Sequence, residues 1–362
     1  MRLAPWLAAL AAAIAFFYLF SDVLLPFAVG IGLGYLLDPV TGKLQRLGLS
    51  RLGAASVILG IFVILLVGVI LLLGPVLSRQ LSGFVAALPQ TIAKLQSVLG
   101  SFSDRLAGSW IGEAMARAGI NLQGSDAPDV QKAIGDLMAE VVQRAGVFAK
   151  TLLSRGAALF SLLSLMVVTP IVAFYIIVDW NKMVSALRSL VPPRFRPDVR
   201  EIAHEIDQAL AGFVRGQSLV CLFLGLWYGV GLSLIGLNFG FLIGASAGVL
   251  SFIPYVGSLI ALVVSAIVAL VQGWPDWHMV AMAVGVVGVG QFLEGNFLSP
   301  YLVGHSVGLH PVWLMFALLA FGSLFGFTGL IIAVPAAAAL GVILRFMIAR
   351  YKETPFYTGE GA

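Results

Sequence analysis

Long apolar runs separated by shorter polar segments set the pattern of this chain. Eight of them are candidates for membrane spans. Residues 6–20 and 23–37 are short against the roughly 20 residues that a ~30 Å hydrocarbon core requires. With Ser21-Asp22 and Pro26 between and within them, they read as a tight hairpin or one long bent helix. Residues 54–77 form a full-length third span, and residues 157–178 a fourth with a predicted kink at Pro170. The fifth covers 216–237. The sixth region, 239–272, is interrupted by Pro254 and Gly257, and the seventh is 278–293. The last, 311–344, is too long for one simple span and carries Gly322, Gly326 and Gly329, with Pro335 following.

Polar segments complete the layout. Residues 78–155 hold most of the mixed charges, and their apolar positions recur at helical spacing, as in Ile134, Leu137, Met138, Val141 and Val142. Two or more amphipathic helices are predicted there, with a loop over 121–129 around Gly124, Ser125 and Pro128. Residues 179–215 break at Pro192-Pro193 and then predict a charged helix over 198–212. The expected organisation is N-terminal spans in 1–77, a helical polar insert in 78–155, span four in 156–178, a cytoplasmic linker in 179–215, a C-terminal membrane region in 216–345 and a cytoplasmic tail in 346–362. The fold class is all-α: a polytopic membrane bundle of about eight spans, with broken or re-entrant helices in its C-terminal half. The first 20 residues look superficially like a signal peptide, but no small-x-small cleavage site follows, and an uncleaved first helix is expected.

Composition strengthens the membrane reading. The 362 residues are 60% hydrophobic and only 10% charged, against roughly 25% charged in soluble domains. Mean hydropathy is +1.02. Such a chain cannot clothe a water-facing surface of this size, so the lipid bilayer is its first expected partner. The net charge of +4 carries no basic stripe with interleaved aromatics, which argues against nucleic acid. Lys43, Arg46 and Arg51, then Lys182, Arg188, Arg194, Arg196, Arg200 and Arg215, then Arg345, Arg350 and Lys352 fall in alternate loops. If these are cytoplasmic, both termini are too. The single cysteine, Cys221, excludes an internal disulfide and reads as a small buried hydrophobe.

Candidate chemistry is confined to the C-terminal half. Residues 216–344 contain no Lys or Arg and two carboxylates, Asp276 and Glu294. Asp276 lies in a turn between Trp274 and Trp277, as in an interfacial aromatic belt. Glu294 ends a glycine-rich apolar run. A charge at mid-membrane costs roughly 2.5–3.5 kcal/mol on insertion scales, so such a group is neutral, paired or facing water. Gln291, three residues earlier, is predicted on the same helical face, and with Glu294 it could line a polar path. A helix-capping role for Glu294 is the plainer alternative. Ile253-Pro254-Tyr255-Val256-Gly257 breaks an apolar segment, as transporters do at substrate sites, with a simple proline kink as the rival. Gly225 and Gly229, Gly240 and Gly244, and Gly322 and Gly326 have the spacing that allows helices to approach closely. His305 and His310 alone are poor evidence for a metal. No P-loop, G-x-S-x-G, zincin motif or triad is present, so no cofactor and no enzymatic activity is expected.

Five motifs occur in a telling order: Gly212-Phe213-Val214-Arg215-Gly216-Gln217, then Ile253 to Gly257, then Glu294-Gly295-Asn296-Phe297-Leu298-Ser299-Pro300, then Leu309-His310-Pro311, then Gly326 to Pro335. Together they resemble the AI-2E family of transporters, or PerM-type permeases. The resemblance implies a bacterial inner-membrane homo-oligomer that exports the quorum-sensing signal autoinducer-2, with sodium- or lithium/proton antiport as an alternative. On the residues alone, the chain reads as a transporter of a small polar solute. Glu294, Gln291 and Asn296 would supply hydrogen bonds, and Pro254, Gly257, Pro300, Gly326, Gly329 and Pro335 would shape or gate the pathway. A membrane scaffold acting through the polar insert is the reading from another class.

Overall fold

The computed structural model describes residues 19–107, 140, 157–303, 308–354 and 357. Nearly all of the first predicted span and of the insert beyond residue 107 lie outside them, as does His305. The described residues are mostly helical, joined by short turns, with no strand among them. The helices are α1 Ser21–Arg46, α2 Arg51–Ala107, α3 Ala157–Leu190, α4 Arg196–Leu234, α5 Gly240–Leu250, α6 Val256–Gly273, α7 His278–Leu293 and α8 Pro311–Lys352, with a π-helix over Glu294–Val303 between the last two. Seven helical stretches among the described residues are long and apolar enough to cross a membrane, so the chain is a multi-pass, all-α membrane protein.

Two predicted boundaries merge into continuous helices. The helix of the third span continues past residue 77: α2 runs for 57 residues, about 85 Å at 1.5 Å per residue, far longer than a bilayer core. Gly74, Pro75 and Gly83 flank residue 78, but all three stay within the helix. Ser78 and Ser82 fold their hydroxyls back onto the carbonyls of Pro75 and Arg79, which keeps polar side chains compatible with the helix. Likewise the charged helix and the fifth span are one element, α4, because Gly212 and Gly216 lack the proline that would stop it.

Contacts divide the chain into two compact units. The first comprises residues 1–68, 162–221 and 293–362, the second 69–161 and 222–292. The core of the first joins Leu33 and Leu37 of α1, Ala55 of α2, and Ala173 and Ile177 of α3. Gly30 and Gly34 bring α1 against Val172 and Ile176 of α3, where a Cβ would come within 2.8 and 2.9 Å of the neighbouring side chain. The Thr169 hydroxyl donates to the Pro26 carbonyl across the same contact.

α8 is the first unit's hairpin. Gly326, at φ 59° and ψ −138°, breaks its helical path. In a straight helix, residues 321 and 329 would stand about 12 Å apart. Here a Cβ on Gly329 would overlap the Phe321 carbonyl, and one on Gly322 would reach Leu330 Cδ2 at 2.8 Å. The chain therefore folds back on itself at Gly326. The arm before it, residues 311–325, is about 22 Å long and too short to cross a ~30 Å core. Pro335, in the second arm, is accommodated without a break.

The second unit contains a comparable device. α5 has eleven residues, about 16 Å, and turns at Ser251–Tyr255 into α6, against which it packs. A Cβ on Gly257 would overlap Ser251 and the Ala247 carbonyl. Tyr255 takes a left-handed φ of 68° to make this turn. The four-residue glycine spacings meet their partners here. Gly225 of α4 lies 3.5 Å (from its ideal Cβ) from Gly248 of α5, and a Cβ on Gly244 would overlap the Gly229 backbone.

Candidate functional site

α7 ends at Leu293, and the helix changes register at Glu294 to i→i+5 hydrogen bonding over ten residues. π-Helical turns are rare and frequent at functional sites. The change of pitch matters for the predicted pairing of Gln291 with Glu294, because three-residue spacing aligns side chains only in α geometry. Gln291 belongs to the second unit. There its amide reaches the hydroxyl of Tyr228 at 3.5 Å, the outer limit of a hydrogen bond. Tyr228 is fully buried, and Gly290 gives its ring room, since a Cβ there would overlap it. Pro254 and Gly257 shape the α5–α6 turn of the same unit.

Glu294, Asn296 and Pro300 share the π-helix of the first unit, with Glu294 half-buried and the other two exposed. This segment lies along α4. Glu294 is close enough to Cys221 for the two groups to interact electrostatically. At its other end, a Cβ on Gly216 would overlap the Leu302 carbonyl and stand 2.9 Å from Val303 Cα. Descending residue numbers on α4 thus match ascending ones on the π-helix, an antiparallel contact that the motif Gly212–Gln217 makes possible.

Beyond Gly216, α4 carries a polar cluster that the sequence did not single out as a site. Tyr35 Oη donates to Asp207 Oδ1 at 3.0 Å, and Arg215 Nε donates to the Tyr35 carbonyl at 3.0 Å. Trp180 meets the Tyr35 ring edge-on at 5.9 Å. Arg51 Nε donates to the Ile177 carbonyl at 2.7 Å and lies 3.8 Å from Asp38. A cavity of about 70 Å³ opens among Tyr35, Asp38, Trp180, Asp207 and Arg215. The legible signal was Arg215 and Asp207, eight residues apart on one helix, which places them on one face. Asp38 lay unremarked at the end of the second apolar run.

The family model for "AI-2E family transporter" matches residues 7–349. The chain belongs to this family. It is 31% identical over 335 residues to the "Putative transport protein YrrI" of Bacillus subtilis (strain 168), covering 91% of this chain and 88% of the relative. It is 27% identical over 338 residues to the "Putative permease PerM" of Escherichia coli (strain K12), covering 92% and 90%. The "Putative transport protein YueF" of Bacillus subtilis (strain 168) matches at 25% over 327 residues, with 90% and 84% covered. The AI-2E family is one of membrane transporters, and this membership fits a bundle with a broken helical hairpin in each unit.

Proposed function

We propose that the chain is a secondary transporter or exporter of a small polar solute, with autoinducer-2 as the first candidate cargo and no covalent chemistry of its own. One observation carries the reading. The lone carboxylate of the apolar run after Trp277 opens a π-helix laid along α4, and the same helix continues to Arg215 and Asp207. From Cys221 to Asp207 is about 21 Å of helix, so polar groups run along α4 from the end of the π-helix at Glu294 toward the charged linker. Intramembrane ionisable groups generally serve solute or proton pathways. Glu294 and Asn296 act as hydrogen-bonding groups, Gln291 supports the approach, and the turns at Pro254–Gly257 and Gly326–Gly329 act as gates. Pro300 and Pro335 shape the elements beside them.

The bacterial relatives and the basic loops support a bacterial cytoplasmic membrane location with both termini inside, and the family resemblance implies assembly of several copies. Proteoliposomes holding wild type or Glu294→Gln test the transport reading through autoinducer-2 flux and sodium-dependent proton flux, measured side by side. A tenfold or larger loss of autoinducer-2 flux in the variant is expected. Equal flux in both would remove Glu294 from the pathway. Proton movement driven by a sodium gradient, lost in Glu294→Gln, would favour the antiporter reading instead.

A further inference from the structure

A second cavity, of about 180 Å³, opens within the second unit. Its walls come from α2, the turn between α4 and α5, and the last turn of α6. Its lining mixes apolar Phe84, Phe239 and Val268 with polar Gln90, Lys94 and Asn238. The walls are fixed before any ligand arrives. The Gln272 amide donates to the Gly236 carbonyl at 2.9 Å and accepts from the Asn238 backbone N–H at 2.8 Å. Gln80 accepts from the backbone N–H of Leu242 at 2.8 Å, and Phe84 and Phe239 meet edge-to-face at 5.4 Å. The side chains of Gln90, Lys94 and Asn238, by contrast, have no hydrogen-bond or ion-pair partner among the described residues. The frame of the cavity is tied down, and Gln90, Lys94 and Asn238 stand exposed along it.

The lining defines the guest. No carboxylate occurs among the lining residues, and Lys94 is their one charged group, so the site favours a negative charge. Two amides add donors and acceptors for hydroxyls. The volume lies below the roughly 300–1,000 Å³ of pockets for drug-sized ligands. Trp274 and Trp277, which pair at 5.6 Å just beyond Gln272, mark this end of α6 as interfacial.

We propose that this cavity is a vestibule that binds a small hydroxylated monoanion at one membrane face. Lys94 would take the carboxylate, Gln90 and Asn238 the hydroxyls, and the Phe84–Phe239 pair the carbon skeleton. As a vestibule it rests on the transport reading; as a binding site it does not.

The test is calorimetric titration of the purified full-length chain in detergent with D-gluconate, D-glucose and hexanoate. Saturable gluconate binding is expected, at least tenfold tighter than either comparison compound. Lys94→Gln and Asn238→Ala should each weaken it tenfold or more, and Lys94→Arg should restore most of it. No saturable gluconate binding, or equal binding in both weakening variants, overturns the proposal. Flux is read separately in proteoliposomes. Flux of a solute that keeps its wild-type KM in Lys94→Gln overturns the vestibule and leaves transport standing. Binding without flux of any tested solute sinks the transport reading and supports the site.

Discussion

The carbonyl of Phe321 lies so close to the Cα of Gly329 that no side chain fits between them. That contact closes the α8 hairpin. Any substitution at Gly329 must push the two arms apart, and overpacking of this kind typically costs about 1–3 kcal/mol. Gly329→Val is expected to lower the thermal unfolding midpoint in detergent clearly, whereas Gly60→Ala, at an open position of α2, should not. Matched midpoints for the two variants would count against a closed hairpin.

Tyr35 links α1 to α4 through its hydroxyl and its carbonyl at once. Tyr35→Phe removes only the bond to Asp207. A hydrogen bond to a charged group is worth about 1.5–3 kcal/mol, and the partly exposed setting favours the lower end. Asp207→Asn keeps an acceptor and should lose less. Arg215→Lys loses the Nε donor and should behave like Tyr35→Phe. Denaturant midpoints of the three variants check the ranking.

Tyr228 is the largest fully buried side chain among the described residues. Truncation to alanine should cost about 3–5 kcal/mol through the cavity it leaves. Tyr228→Phe keeps the volume and loses the hydroxyl with its long contact to Gln291, so a smaller drop, about 0.5–1.5 kcal/mol, is expected. A Phe variant as unstable as the Ala variant would show that the hydroxyl, not the ring, holds this part of the unit.

Gln272 bridges two backbone groups of one turn. Gln272→Leu leaves the Gly236 carbonyl and the Asn238 N–H to find other partners. Hydrogen exchange at residues 236–239 should accelerate by roughly tenfold, the equivalent of about 1.4 kcal/mol. Exchange in α7 should not change.

Much of this architecture was legible because lipid-facing helices announce themselves. The apolar run at 278–293 coincides with α7 residue for residue, and Pro254 and the glycines near 326 mark the turns that the structure contains. The ends of α2 and α4 were harder. Hydropathy stops at the bilayer surface, but a helix need not, and neither Ser78 nor Gly212 supplies a stop signal. Glu294 stood out because a carboxylate is costly in an apolar run. Its π-helical setting was hidden, since hydrogen-bond register leaves no trace in residue type. The Tyr35–Asp207–Arg215 cluster was missed for a different reason: Tyr35 and Asp207 are 172 positions apart, and only tertiary packing brings them together. The second cavity draws Phe84, Gln90 and Lys94 from the polar insert and Phe239, Val268 and Gln272 from the sixth apolar region, and no pattern in either segment brings them together.

Gly326 also sets a rule for sequence drift in this chain. Its φ of 59° with ψ of −138° is a region essentially closed to side chains. Gradual exchange through alanine or serine is therefore barred at this position, although the surrounding space is open. A saturation library should show it as an all-or-none site flanked by tolerant neighbours such as Phe327. The hairpin could then be inherited only with its glycine, or rebuilt by a change in the length of the turn.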